Sequence, residues 1–209
     1  MIFISAMIKS KKEQAIISNG EAKIMRKMTL VFVSLVLLSF LSSARAYPPV
    51  VSVTQAVTLQ PVEAFVYFCI HHKGPFTEVQ EVIGKLMQEA ASQNIIPAGA
   101  LIGVYHNNPA EVKPEDLEWE MGFPVTEQAL VQPPLERREW NFTQVAASLH
   151  KGSYETTGET VGKILEWMES NGYSQAGPIL ERYLDMNPSE VKPEDLKTEI
   201  WIPVKKKGE

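Results

Sequence analysis

Asn108-Pro109-Ala110-Glu111-Val112-Lys113-Pro114-Glu115-Asp116-Leu117 returns as Asn187-Pro188-Ser189-Glu190-Val191-Lys192-Pro193-Glu194-Asp195-Leu196, with Ser189 in place of Ala110 as the only change. Upstream of the first copy stands His72-Lys73-Gly74-Pro75-Phe76, matched by His150-Lys151-Gly152-Ser153-Tyr154 before the second. Downstream, Glu120-Met121-Gly122-Phe123-Pro124-Val125 is answered by Glu199-Ile200-Trp201-Ile202-Pro203-Val204. The offset is 78 at the first signal (150 − 72) and 79 at the others (187 − 108, 199 − 120). One folding unit therefore occurs twice. Two such units related by a pseudo-twofold leave a seam, and paired modules hold ligands in seams of this kind.

Each copy reads strand, helix, strand, short helical turn, strand. In the first, Ala64 to His72 is rich in β-branched and aromatic residues, the composition of a strand. Gly74-Pro75 breaks it, and Thr77 with Gln80 has the spacing of a capping box. Val79, Val82, Ile83, Leu86, Met87 and Ala90 then recur at helical spacing, predicting one apolar face through about Asn94. Leu101 to His106 and Glu118 to Val125 read as strands. Pro114-Glu115-Asp116 between them reads as a first helical turn, where Pro needs no donor and acids suit the dipole. The second copy predicts a strand over Trp140 to His150 and a helix over Glu155 to Asn171 with Val161, Ile164, Leu165 and Met168 inward. Strands follow at Ile179 to Leu184 and Lys197 to Val204, with a turn at Glu194-Asp195-Leu196 between them. Gly84 and Gly162 occupy matching helix positions (162 − 84 = 78), and Gly costs a helix about 1 kcal/mol relative to Ala. Their use twice predicts close backbone approach.

The ends are read separately. Met25-Arg26-Lys27-Met28 is a basic start, Thr29 to Leu41 an uncharged apolar run, and Ala44-Arg45-Ala46 a small-x-small cleavage pattern. The expectation is a signal peptide within residues 1–46, cleaved after Ala46, and a periplasmic or secreted mature chain. An uncleaved inner-membrane anchor is the alternative. Residues 47–61 and 126–138 read as linkers, 62–125 and 139–205 as the two repeats, and 206–209 as a tail. Without residues 1–46 the chain carries 13 Lys and Arg against 23 Asp and Glu (20 − 7 and 25 − 2). That acidity argues against nucleic acid and anionic membrane as partners. The single cysteine, Cys69, lies in a strand-like run and reads as a small buried residue.

The duplicated strand–helix–strand–strand unit, the His-Lys-Gly-aromatic signal and the ending Pro-Glu-Asp-Leu-x-x-Glu-x-x-x-Pro-Val resemble the GyrI-like domain, also called the AraC-type or bacterial transcription activator effector-binding domain. The resemblance runs from Val62 to Lys205. It implies an α+β fold of two SHS2-type modules related by a pseudo-twofold, with antiparallel sheets forming a central groove. It further implies small-molecule ligands that are often hydrophobic, aromatic or cationic; some members resemble hydrolases of strained electrophilic rings, and one class inhibits DNA gyrase. A secretion signal stands here where the regulators carry a DNA-binding segment, so the expected role is an exported small-molecule-binding protein.

Strand alternation selects candidate residues. Lys197, Glu199 and Trp201 share one face, with Thr198, Ile200 and Ile202 on the other. The Ile face suits the helices, and in the resembled family the opposite face lines the groove. Glu120 shares its face with Gly122, while Trp119, Met121 and Phe123 point to the helices. Trp at one position and Gly at its mate predict a groove walled on one half and open on the other. Tyr105 and Tyr183 fall at matching positions (183 − 105 = 78). The expected ligand-binding set is therefore Glu199, Trp201, Glu120, Tyr105 and Tyr183. The resemblance associates the Glu199 position with ligand contact or catalysis. A carboxylate beside an indole attracts a cation, with cation–π attraction of about 0.5–2 kcal/mol. Partly desolvated, it is poised as a general acid or base, so a hydrolase using Glu199 and Tyr183 stays open. A solvated strand Glu and rim tyrosines are the plainer readings of the same residues. A haem-binding protein and a protein-interaction module are the remaining alternatives. His72 and His150 are read as organisers of the strand-to-helix turn. Adjacent His71 and His72 point to opposite strand faces and cannot share one metal. CxxC, HExxH, phosphate loops and nucleophile elbows are absent, so neither a metal site nor a cofactor is expected.

Overall fold

The structure, a computed structural model, describes residues 53–208 except Met186. The expected export signal and cleavage site fall within residues 1–52, which lie outside the described residues. Strands β1 (Val53–Thr54) and β2 (Thr58–Pro61) precede β3 (Phe65–Lys73), helix α1 (Val79–Ser92), β4 (Leu101–Tyr105) and β5 (Glu118–Pro124). Then come β6 (Glu136–Trp140), β7 (Gln144–Lys151), helix α2 (Thr157–Ser170), β8 (Tyr173–Gln175), β9 (Ile179–Tyr183) and β10 (Lys197–Lys206). Short 3-10 turns at Phe76–Glu78, Pro114–Asp116, Tyr154–Thr156 and Pro193–Asp195 stand at matching places in the two repeats.

All strands join one antiparallel sheet in the order β1-β7-β10-β9-β4-β5-β3-β6, with β2 also on β7 and β8 on β10. The repeats meet where β4 pairs with β9. In that ladder Gly103 faces Glu181, Ile102 faces Arg182 and Val104 faces Leu180. Gly103 and Glu181 are also mates under the 78-residue offset, so the pseudo-twofold axis passes between them.

Cross-strand partners share a face, and the register carries one face across the sheet. On that face α1 covers Phe68, Trp119 and Met121 through Val82, Leu86 and Ala90. There α2 covers Ala146, Ile200 and Ile202 through Ile164 and Met168. The opposite face is also buried: Tyr67, Cys69, Ile102, Val104, Trp140, Val145, Ala147, Leu180 and Trp201 form one cluster. That cluster joins β3 and β6, at one end of the strand order, to β7 near the other, so the sheet curls around it.

The matching turns are held alike. Gly74 N–H donates to the Leu117 carbonyl and Gly152 N–H to Leu196, each at 2.9 Å. Gly74 (φ 155°) and Gly152 (φ 149°) take backbone angles that side chains rarely tolerate.

Several local expectations are corrected. The stretch read as one strand over Trp140 to His150 is two, because β6 pairs with β3 whereas β7 pairs with β10. Phe142, in the crossing between them, packs edge-on against Trp140 at 5.0 Å. Thr77 lies inside a 3-10 turn, and no side chain caps α1. Met87 and Leu165, mates under the offset, are exposed, since the buried stripes are narrower than the apolar pattern. A Cβ on Gly84 or Gly162 would meet nothing within 4 Å, so neither marks close approach. Gly122 does: its Cβ would lie 2.3 Å from the Phe68 carbonyl oxygen, so it reflects tight strand contact and not an open half-groove. Part of the stretch read as a linker is β2, and the basic tail extends β10 to Lys206, with Lys207 ion-paired to Glu169.

Candidate functional site

The helix-covered face holds a polar cluster on the pseudo-twofold axis. Tyr183 lies two residues beyond Glu181 on β9, so both side chains leave the strand on the same side, and the phenol reaches Glu181 Oε2 at 2.8 Å. Tyr105 comes from β4, and the two phenol oxygens are 2.6 Å apart. With Glu181 ionised, Tyr183 donates to the carboxylate and Tyr105 donates to Tyr183. Gly103 makes this possible: a Cβ there would stand 2.9 Å from the Tyr105 hydroxyl. A ring flanks each phenol. Phe76 packs edge-on against Tyr105 at 5.5 Å, and Tyr154 against Tyr183 at 5.2 Å. Phe76 and Tyr154 are the aromatic ends of the two His-Lys-Gly signals.

Glu181 is 6% exposed. Burial raises its pKa, the hydroxyls of Tyr183, Thr157 and Tyr105 pull it back, and the net result is a rise. Desolvation and the Glu181 charge also raise Tyr105, and the same causes with Tyr105 raise Tyr183. The histidines of the two signals support the turns: His72 Nε2 is 2.6 Å from Glu78 Oε2, and His150 Nδ1 is 2.8 Å from the Thr160 hydroxyl.

The opposite face carries Glu199 and Trp201, as alternation predicts. The cation that this pair attracts belongs to the chain. Arg182 Nη1 donates to Glu199 Oε2 at 2.6 Å, and its guanidinium sits 4.8 Å from the centre of the Trp201 ring. Glu120 lies on the same face at 1% exposure, accepting from the Tyr67 hydroxyl at 2.8 Å, with His106 Nε2 at 2.9 Å and His71 Nδ1 at 3.7 Å. Burial alone would raise its pKa, but the bonds to His106 and Tyr67, with the nearby His106 and Arg138 charges, hold it down at about 2. Burial, and after it the same carboxylate, raise the Cys69 thiol and the Tyr67 phenol.

The five residues expected around one groove are thus divided. Tyr105 and Tyr183 stand together on the helix face; Glu199, Trp201 and Glu120 stand on the other. Glu199 and Tyr183 cannot act on one water, because Tyr183 is paired with Thr198, whose side chain leaves β10 opposite to that of Glu199. Glu181 was missed. Its signal was available in the two-residue spacing to Tyr183 and in Gly103 as its mate. His71, His106 and Glu120 form a second unforeseen group, one ligand atom from each lying within 4.8 Å of the others.

The family described as a GyrI-like small molecule binding domain matches residues 55–205. Among solved structures, the C-terminal domain of EcmrR is similar with a TM-score of 0.65 at 20% identity, over 74% of this chain and 99% of that one. An uncharacterized conserved protein from Listeria innocua has a TM-score of 0.58 at 16% identity, over 71% and 92% of the two chains. A hydrolase from Listeria innocua has a TM-score of 0.51 at 14% identity, over 71% and 91%. At such identities the likeness is one of fold. No curated protein matches at a significant level.

Proposed function

Because the chain belongs to the GyrI-like small-molecule-binding domain family, we propose that it binds an aromatic, cationic small molecule at the seam between its repeats, with Glu181 as counter-charge. Tyr105 and Tyr183 keep their expected role. Glu181 takes the one assigned from sequence to Glu199, whose charge Arg182 already answers. The observation that carries this reading is the position of Glu181: beside the axis, nearly fully buried, and bonded to hydroxyls. A carboxylate desolvated beside neutral partners is costly, and a ligand cation relieves that cost. Rings of Phe76, Tyr105, Tyr183 and Tyr154 offer stacking and cation–π contacts. Glu181 sits opposite a glycine, so a pseudo-symmetric seam holds an off-centre charge.

Calorimetry with a tetraarylphosphonium ion and a neutral compound of the same shape tests this. Glu181→Gln is expected to weaken the cation about 10- to 100-fold, as losing a charged partner costs about 1.5–3 kcal/mol, and to leave the neutral analogue nearly unchanged. Equal effects on both compounds refute the counter-charge role. A raised carboxylic acid 2.8 Å from a phenol also suits acid–base hydrolysis of an electrophilic ligand. Product formation that Glu181→Gln abolishes would establish that second reading.

The apolar run and Ala44-Arg45-Ala46 support export as part of the proposal. N-terminal sequencing of the protein from its native cell should begin at Tyr47; an intact start would exclude cleavage after Ala46.

A further inference from the structure

We propose that His71, His106 and Glu120 form a divalent transition-metal site, best suited to Zn²⁺, on the sheet face opposite the tyrosine seam. The three come from separate places in the chain. His71 lies on β3 directly across from Glu120 on β5, and His106 follows β4, where its N–H holds the Glu118 carbonyl at 3.0 Å. The ligand atoms are ready-set: His106 Nε2 and His71 Nδ1 stand 2.9 and 3.7 Å from the same Glu120 oxygen, Oε1. Two ligands at about 2.1 Å on a tetrahedral ion are about 3.4 Å apart, a spacing that these distances bracket.

Ligand chemistry selects the ion. Two imidazoles with one carboxylate suit Zn²⁺ and its neighbours, whereas Mg²⁺ and Ca²⁺ call for oxygen. The arrangement is also supported behind the ligands. Tyr67 donates to Oε2, which orients the carboxylate and leaves Oε1 toward the imidazoles. Both imidazoles are about one-third exposed (33% and 32%), so an ion has an entry path and a position open to solvent.

The second repeat shows what the buried carboxylate requires. Offsets of 78 and 79 place Leu149, Leu184 and Glu199 at the positions of His71, His106 and Glu120. There the carboxylate is retained, both imidazoles are gone, and Arg182 supplies the cation at 2.6 Å. In the first repeat the mate of Arg182 is Val104, and two metal-ligating rings take the place of the leucines. The nearest guanidinium, Arg138, is 4.0 Å from Oε1 and is turned to Glu136 at 2.7 Å. One repeat thus neutralises its carboxylate with an arginine, and the other is built to do so with a metal ion.

Tag-free protein titrated with Zn²⁺ by calorimetry, and with Co²⁺ by visible absorption, tests the site. One ion per chain is expected, with the intensified d–d bands of low-coordinate Co²⁺. His71→Ala and His106→Ala, both at part-exposed positions, should each weaken binding on the order of 100-fold, and Tyr67→Phe about 10-fold. Arg138→Gln should tighten binding by removing a competing positive charge. His72→Ala should change nothing, because that ring faces the helices and is bonded to Glu78. Circular dichroism checks that each variant is folded. The proposal is overturned if no saturable one-to-one binding occurs, or if binding persists unchanged in the folded His71→Ala/His106→Ala double variant.

Discussion

Replacing Gly84 and Gly162 with alanine separates two physical accounts of the helices. If the glycines allow a neighbour's backbone to approach, a methyl group must collide and stability must fall. The structure places nothing within 4 Å of either added Cβ, so only helix propensity remains. Each substitution is then expected to stabilise by about 0.5–1 kcal/mol, as alanine restricts the unfolded chain and favours the helix. The sites lie in different helices, so their effects should add to about 1–2 kcal/mol. For a domain of this size that corresponds to a Tm rise of roughly 2–8 °C. Gly122→Ala is the contrasting control. Its Cβ would fall 2.3 Å from a backbone oxygen of β3, which cannot swing aside, and overpacking costs about 1–3 kcal/mol or more. Urea unfolding followed by tryptophan fluorescence and circular dichroism measures all three. Loss of stability in Gly84→Ala or Gly162→Ala, with an unchanged m-value, would refute the open-helix account.

The remaining predictions concern the two faces of the sheet. Glu181 has a raised pKa in the folded state, so the native protein binds its proton more tightly than the unfolded chain does. Stability should therefore decline as pH rises from the ordinary carboxylate value through the raised one, and Glu181→Gln should remove that part of the slope. Urea midpoints between pH 4 and 8 for both proteins check this; identical slopes would contradict it. The Glu199–Arg182 pair is partly solvated, at 24% and 34% exposure, so Glu199→Gln should cost no more than about 1 kcal/mol. It should also leave seam binding unchanged, whereas loss of tetraarylphosphonium affinity in this variant would return the counter-charge to Glu199.

The duplication was legible because decapeptides alike at all but one position mark the same turn twice, and those turns do recur as 3-10 segments before β5 and β10. The edge of the pattern was less legible. Trp140 to His150 reads as one strand because Trp140 and Phe142 run on into the apolar residues of β7, and only the different partners of β6 and β7 reveal the crossing. β8 is three residues long and carries too little pattern to be seen. The site failed at a particular place. On β5 and β10 a charged residue breaks one face, so alternation assigned Glu120 and Glu199 to the correct side. On β4, Leu101-Ile102-Gly103-Val104-Tyr105 is apolar on both faces, because the sheet is covered on both, and alternation cannot say which side Tyr105 takes.

By itself the sequence determined a motif series written twice, read as two strand–helix–strand–strand copies, with known faces on the last strands and matching tyrosines on the second ones. Tertiary structure decided what those faces meet. It paired β4 with β9 so that Gly103 faces Glu181, turned the tyrosines toward the helices, set Arg182 on Glu199, and brought His71 of β3 and His106, just past β4, to Glu120. The physical reason is that periodicity along a chain specifies sidedness within a strand. Which strands become neighbours depends on how two whole units bury their apolar area together.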